Sequence, residues 1–300
     1  MIRRLAARLA TMAGDVADWV AYRRAADTSA IEEVVSGRLD AGGVARLAIF
    51  MHFDRDGAIA GYVRHYLRAL RAAGFEIVFV SNAPRLDATD IAPLCRAVVR
   101  RRNIGLDFGA WKDCWLALEG RDGLDLLLLA NDSVYGPLHD LAPLVARADP
   151  AVADVWGATD NWEGGPHLQS YFLLIHARAL RHPAFAAFWR GVRHVASKRW
   201  IVRRYEIGLT RGLAAAGLRC AALFPYDRVA AAAPVRHDRP VNPTHFFWDT
   251  LIARAGFPFL KRDLLARNQH GLPVENWRAV VAAASPYDAG LIDRHLAENR

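Results

Sequence analysis

The chain has 300 residues, is 53% hydrophobic and carries a formal net charge of +8 at pH 7. That is ample for one large α/β domain or two small ones, and no apolar run reaches the roughly 18 residues of a membrane-spanning helix. The positive charge is scattered arginine, with Lys112, Lys198 and Lys261 as the lysines, and neither an aromatic-interleaved basic block nor zinc-finger spacing occurs. Nucleic acid is therefore not an expected partner, whereas an anionic membrane surface or a small anionic substrate fits the charge.

Cys95, Cys114 and Cys220 lie far apart without metal-type pairing, as in a protein of the reducing cytosol. The basic start is interrupted by Arg8 and Asp15 where a secretion signal needs an apolar core. A cytoplasmic location is expected.

In chain order, Leu5, Leu9, Met12, Val16, Trp19 and Val20 recur every three or four residues, which predicts an N-terminal amphipathic helix with arginines near its ends. It reads either as an arm packed on the main domain or as a peripheral contact with the inner face of the plasma membrane. The arm is assigned to residues 1–44, ending at Gly42-Gly43.

From Arg46 strands and helices alternate. Strands are predicted at Leu47–Phe53, Phe75–Val80, Ala97–Val99, Leu124–Ala130, Asp154–Ala158 and Leu168–Ile175. Helices fall at Ile59–Ala72, Ala110–Leu118, Arg178–Arg190, Arg203–Ala216 and Phe246–Ala255. Gly74, Gly217 and Gly256 stand where helix C-caps are wanted. This rhythm predicts an α/β domain over residues 45–270, a mostly parallel sheet flanked by helices, followed by a polar helical tail over 271–300.

The most informative stretch is Leu126 to Leu138. Its apolar run suits a strand buried on both faces, and it stops at Asn131, Asp132 and Ser133 before Gly136-Pro137 forces a turn. Open α/β sheets bind ligands at such carboxyl ends. A carboxylate there can hold a divalent cation, and the cation a diphosphate. His52, Asp54 and Asn82 also end strands, where a nucleoside would sit.

Asn103-x-Gly105-x-Asp107-x-Gly109, followed by Lys112, joins a strand to a helix. It suits either close backbone approach to an anionic ligand or a tight turn with Asp107 as N-cap. His167 to Ile175 begins polar and turns apolar; strand alternation puts His167, Gln169 and Tyr171 on one face and Ser170 on the other. Such neutral groups can meet sugar hydroxyls. Glu206 is a carboxylate near a helix start, able to act as general base or to pair with arginine. His245, at the Asn242-Pro243 helix start, could cap the site or ligate metal.

Taken in order, NIGLDFGAWK, LLLLANDSVYGPL, HLQSYFLLI, YEIGLT and NPTHFFWDTLI followed by PFLKRDLL resemble the rhamnan synthesis protein F family of bacterial surface-polysaccharide glycosyltransferases. The resemblance runs from about Arg46 to Asn268. It implies a GT-A-like enzyme moving a sugar, a rhamnose-like deoxyhexose being favoured, from a nucleoside diphosphate sugar to a growing glycan or polyprenyl-linked saccharide. In such enzymes a strand-end acidic motif binds metal and ribose, which points here to Asn131-Asp132-Ser133. With a single carboxylate, Mg²⁺ or Mn²⁺ would be weakly held with help from His245, or replaced by lysine and arginine at the diphosphate. Asp132 and Glu206 are thus the expected catalytic pair, Glu206 as base for an inverting transfer. Donor contacts fall to His52, Asp54, Asn82, Asn103, Gly105, Asp107, Lys112, Asn131 and Ser133, and sugar or acceptor contacts to His167, Gln169, Ser170 and Tyr171. A non-catalytic glycan- or nucleotide-sugar-binding protein with a degenerate site is the alternative.

Overall fold

The computed structural model describes residues 14, 16–25 and 27–298. Its strands are β1 (Ile31–Gly37), β2 (Arg46–His52), β3 (Glu76–Ser81), β4 (Ala97–Arg101), β5 (Leu126–Asn131), β6 (Val134–Tyr135), β7 (Val155–Asn161), β8 (His167–Leu168), β9 (Phe172–His176), β10 (Cys220–Phe224) and β11 (Leu260–Lys261). The main sheet runs β1-β4-β3-β2-β5-β9-β7-β10, with β8 paired to β7, and β6 and β11 form a separate two-stranded ribbon.

The apolar runs behave as period-two strands covered on both sides. Leu126, Leu128 and Ala130 of β5 face one core with Ala48, Phe50, Phe172 and Leu174. Leu127 and Leu129 face the opposite core with Leu47, Ile49, Met51 and Leu173. Helix 61–72 covers the first face through Tyr62, Val63, Tyr66, Leu67 and Leu70. Helix 106–117 lies on the second, buried without a break from Phe108 to Trp115.

Strands β2 to β5 are mutually parallel in the order β4-β3-β2-β5, as the alternation of strands and helices predicts. Beyond them the expected pattern is broken. β9 runs antiparallel to both β5 and β7, and β1 caps the other edge antiparallel to β4. The reversal follows from the hairpin-like path out of β7. β8 doubles back on β7, and a turn at Gln169–Tyr171 leads into β9.

Two boundaries shift. β1 lies inside the stretch assigned to the arm but belongs to the central sheet. Helices 277–284 and 290–298, assigned to a separate tail, pack Trp277, Val281 and Ile292 into the first core. Of the N-terminal helix, residues 14 and 16–24 are helical, while Leu5, Leu9 and Met12 lie outside the described residues. This segment rests on the body through Asp18, paired with Arg199 at 2.8 Å, and through the Tyr22 ring, 5.2 Å from Trp200. No helix among the described residues is long and apolar enough to cross a membrane.

The chain leaves β2 toward β3 and β4, then returns to place β5 on the other side of β2. Between the carboxyl ends of β2 and β5 the connections part, which is where an open α/β sheet forms its ligand crevice.

Candidate active site

Two cavities adjoin at this crevice. The first, about 330 Å³, is lined by Asp107, Asn131, Ser133, His167, Gln169, Ser170, Tyr171, Glu206 and His245 among others. Residue by residue, these are positions the sequence reading singled out. The second, about 490 Å³, is lined by Arg55, Lys198, Arg262, Arg267 and His295, with Asp263 as its acidic member. Ser133, Lys198 and Asp263 line both. Each volume falls within the roughly 300–1,000 Å³ usual for small-molecule sites.

The floor of the first cavity is the end of β5. Asn131 donates from Nδ2 to Asp107 Oδ2 at 2.8 Å, and its Oδ1 accepts from the Ser133 hydroxyl at 2.6 Å. Burial, with the Asp132 charge adding to it, raises Asp107 to about 6, the Asn131 bond partly opposing. Asp107 sits in the first turn of helix 106–117; Gly105, at φ +74°, holds the N-cap position that the sequence reading offered to Asp107.

One wall comes from the turn at 169–171. The strand predicted to run unbroken from Leu168 breaks there, so Ser170 lines the cavity beside His167, Gln169 and Tyr171 rather than opposite them. Gln169 accepts from Thr159 Oγ1 at 2.7 Å, and Tyr171 Oη meets the same hydroxyl at 2.7 Å. His167 Nδ1 lies 2.8 Å from Gly165 O.

Glu206 stands opposite. Its Oε1 accepts from the Ser170 N–H at 2.7 Å and from the Ser170 hydroxyl at 2.8 Å. The helix predicted from Arg203 starts earlier and passes through a π-helical stretch, Ile201–Glu206, before continuing as α-helix 207–215. Such wide turns recur at functional sites because they push a side chain out of the regular stripe. Here Ile201, Val202 and Glu206 all reach the cavity.

Two cations complete the site, and neither was assigned a role from sequence. Lys261 donates to Ser133 Oγ at 3.2 Å and lies 4.2 Å from the centre of the Tyr171 ring. Burial lowers its pKa, opposed by the charges of Asp263, Glu206 and Asp107. Arg262 Nη1 donates to Tyr62 Oη at 2.7 Å and to Asp132 Oδ2 at 3.1 Å. The signal was present in the PFLKRDLL segment, but its position depends on a two-residue ribbon too short to read from periodicity.

Asp132, expected at the centre of the chemistry, lines neither cavity. Successive side chains leave the strand end on opposite sides, so Asn131 and Ser133 face the first cavity while Asp132 turns away. Its Oδ2 is held by Arg262 and by the Phe53 N–H at 3.3 Å. The expected metal pair is likewise not assembled. His245 lines the first cavity with Nε2 bonded to Asp263 Oδ1 at 3.0 Å. Burial disfavours ionised Asp263, yet the His245 bond and the Lys261 charge hold its carboxyl below the ordinary range. No group of three or more His, Cys, Asp or Glu side chains among the described residues could hold a metal ion. Asp132 and His245, the pair expected to ligate a cation, do not face a common cavity.

The remaining donor candidates lie off the cavity walls. His52 is buried, bonded to Ser81 Oγ at 3.0 Å, with burial lowering its pKa. Asp54 caps its own loop, accepting from the N–H groups of Asp56 and Ala58 at 2.9 Å each. Asn82 accepts from Arg101 Nη1 at 2.8 Å, and Arg101 is itself clamped to Asp113, which also receives His194 Nε2 at 3.1 Å. Lys112 pairs with Asp27 at 2.6 Å. Asn103 is exposed. Gly105 is glycine because a Cβ there would meet His194 at 2.8 Å and because its φ is positive, so it serves packing against that buried network.

The family model described as rhamnan synthesis protein F matches residues 77–300. "Virulence protein VirA" of Vibrio anguillarum is 28% identical over 255 residues, 76% of this chain and 82% of that one. "Uncharacterized protein y4gN" of Sinorhizobium fredii is 31% identical over 185 residues, 58% of this chain; the match spans about half, 48%, of that relative. Among solved structures, the glycosyltransferase GlyE of Streptococcus pneumoniae aligns over 85% of this chain and 64% of its own, with 14% identity and a TM-score of 0.42. The galactosyltransferase LgtC, in complex with donor and acceptor sugar analogs, aligns over 83% of this chain and 99% of its own, at 13% identity and TM-score 0.38.

Proposed function

The chain belongs to the rhamnan synthesis protein F family, and from that premise we propose that it is a GT-A-like glycosyltransferase transferring a sugar from a nucleoside diphosphate donor to a glycan or polyprenyl-linked acceptor. The single observation that carries this reading is the paired cavity. A basic chamber suits a diphosphate, and a chamber of amides, hydroxyls and carboxylates suits a sugar ring. The shared wall of Ser133, Lys198 and Asp263 is where the anomeric carbon would join the two.

In this reading the nucleoside lies toward the end of β2 near Arg55, and the diphosphate against Arg262, Arg267 and Lys198. The sugar and the incoming hydroxyl sit among Asp107, His167, Gln169 and Glu206. Glu206 takes the acceptor proton while Ser170 fixes its carboxylate, which supports a single displacement with inversion. A rhamnose-like deoxyhexose remains the favoured sugar, from the family membership. Contact with a membrane carrying the acceptor is proposed through the N-terminal helix, where Val16 and Trp19 are exposed.

The test is a transfer and hydrolysis screen of nucleoside diphosphate sugars, with release of the nucleoside diphosphate as readout. Turnover of at least one donor, lowered by about 10²–10⁴ in Glu206→Gln, is expected. Binding of glycans with no donor turnover would identify a non-catalytic binding protein instead.

A further inference from the structure

Resting on that reading, we propose that transfer is independent of divalent metal and that Lys261 and Arg262 are the fixed cations that stabilise the departing diphosphate. The residue that would ligate a cation at the end of β5, Asp132, has its carboxylate engaged by Arg262 and the Phe53 N–H. Four carboxylates line the first cavity, Asp107, Glu163, Glu206 and Asp263, and three of them, Asp107, Glu206 and Asp263, are electrostatic partners of the Lys261 ammonium on the same wall. A divalent ion entering that cavity would have to compete with an ammonium held between Ser133 and the Tyr171 ring.

The two cations are neighbours in sequence and open onto different chambers, Lys261 to the first and Arg262 to the second. A ribbon sets their position. β11 pairs with β6 through Leu260 with Tyr135 and Lys261 with Val134, and the Arg262 N–H donates to Ser133 O at 3.0 Å. The pair is thereby clipped to the Asn131-Asp132-Ser133 lip at the end of β5. One nitrogen of Arg262 is fixed by Asp132 and Tyr62, and with the side chain 30% exposed the rest of its planar fork can meet phosphate oxygens. Charges fixed before the reaction need no rearrangement as the leaving group gains charge.

The step balances without a further reactant. The acceptor oxygen forms a bond to the anomeric carbon and gives its proton to Glu206. The bond from that carbon to the diphosphate oxygen breaks, and its electron pair stays on the diphosphate, beside Arg262 and Lys261.

The test is calorimetric titration of the whole chain with UDP, dTDP, GDP, ADP and CDP, in EDTA and then with Mg²⁺ or Mn²⁺, alongside donor turnover under the same conditions. At least one nucleoside diphosphate is expected to bind with a Kd that agrees within about twofold across all conditions, and turnover should survive EDTA. Arg262→Gln retains hydrogen-bonding groups for Asp132 and Tyr62 but not the charge, and should weaken that binding by about 30-fold or more. Asp132 acts here as a positioning residue, so Asp132→Asn should raise Kd equally with EDTA and with metal. A tenfold or greater loss of binding or turnover in EDTA, restored by Mg²⁺ or Mn²⁺, would overturn the proposal while leaving glycosyl transfer intact. Absence of binding by any nucleoside diphosphate under every condition would overturn both. The chelator comparison uses the unaltered chain and does not depend on any variant folding.

Discussion

Glu206 and Ser170 meet across the cavity with both hydrogen bonds of Ser170, from its N–H at 2.7 Å and its hydroxyl at 2.8 Å, falling on one carboxylate oxygen, Oε1. A side chain fixed in this way enters the reaction already oriented. The π-helical stretch that ends at Glu206 and the turn that breaks β8 from β9 are the two irregularities that allow the meeting.

From this follows the first expectation. Glu206→Gln keeps an oxygen for Ser170 but loses basicity, so kcat should fall by about 10²–10⁴ with donor affinity within about twofold of the parent. Steady-state rates together with donor titration measure both quantities. An unchanged kcat would remove Glu206 from the base role.

Asp107 gives a pH signature. Burial raises its folded-state value to about 6 from an ordinary 3.8, with Asp132 adding and Asn131 opposing. Between those values the folded state holds the proton that the unfolded chain has released, so this group's contribution to stability falls as pH rises from about 4 to 6. Asp107→Asn cannot ionise. Its thermal midpoint should therefore gain on that of the parent across the same window and stay higher at pH 7, as a series of melts at different pH would record.

His295 works in the opposite sense. Burial, with the Arg262 charge next, lowers it to about 4, against the pull of Asp132 and Asp54. Its Nδ1 lies 2.9 Å from Tyr135 Oη. Kept neutral in the folded state, it contributes stability above about pH 6.5 that is lost as pH falls toward 4. His295→Gln can still bond to Tyr135 and cannot take up charge. Its melting temperature should fall less steeply than the parent's between pH 6.5 and 4; parallel curves would mean the histidine is not held neutral.

How far the sequence disclosed this molecule depends on what kind of signal each part left. β2, β3 and β5 were legible because strands buried on both faces are unbroken apolar runs. Direction was not legible, since Phe172 to Ile175 is equally apolar whether it runs with β5 or against it. β1 was missed because Glu32 and Glu33 make it look like a loop; it is an edge strand whose acids pair with Arg100 of β4. Most of the first cavity was found because its residues end strands or begin helices. The side on which Asp132 lies was not legible, because three successive polar residues at a strand end carry no apolar pattern to tell one face from the other. Arg262 was passed over because only the fold brings residue 262 back to residue 132.

The Asn82 cluster separates stability from binding. Arg101 and Asp113 are an ion pair at 2.9 Å with both side chains essentially inaccessible. Removing one partner strands a buried charge, so Asp113→Ala should destabilise the fold by about 3–5 kcal/mol in urea titrations. If this cluster is structural, the protein that stays folded should bind nucleoside diphosphate with the parent's affinity.

The most direct measurement of the central claim is a crystal structure with a nucleoside diphosphate sugar bound. The account requires the diphosphate within hydrogen-bond reach of Arg262 and Lys261, with the sugar ring between Gln169, Asp107 and Glu206. A ligand seated elsewhere with these two cavities vacant, or a diphosphate held through a metal ion ligated by Asp132, would contradict it.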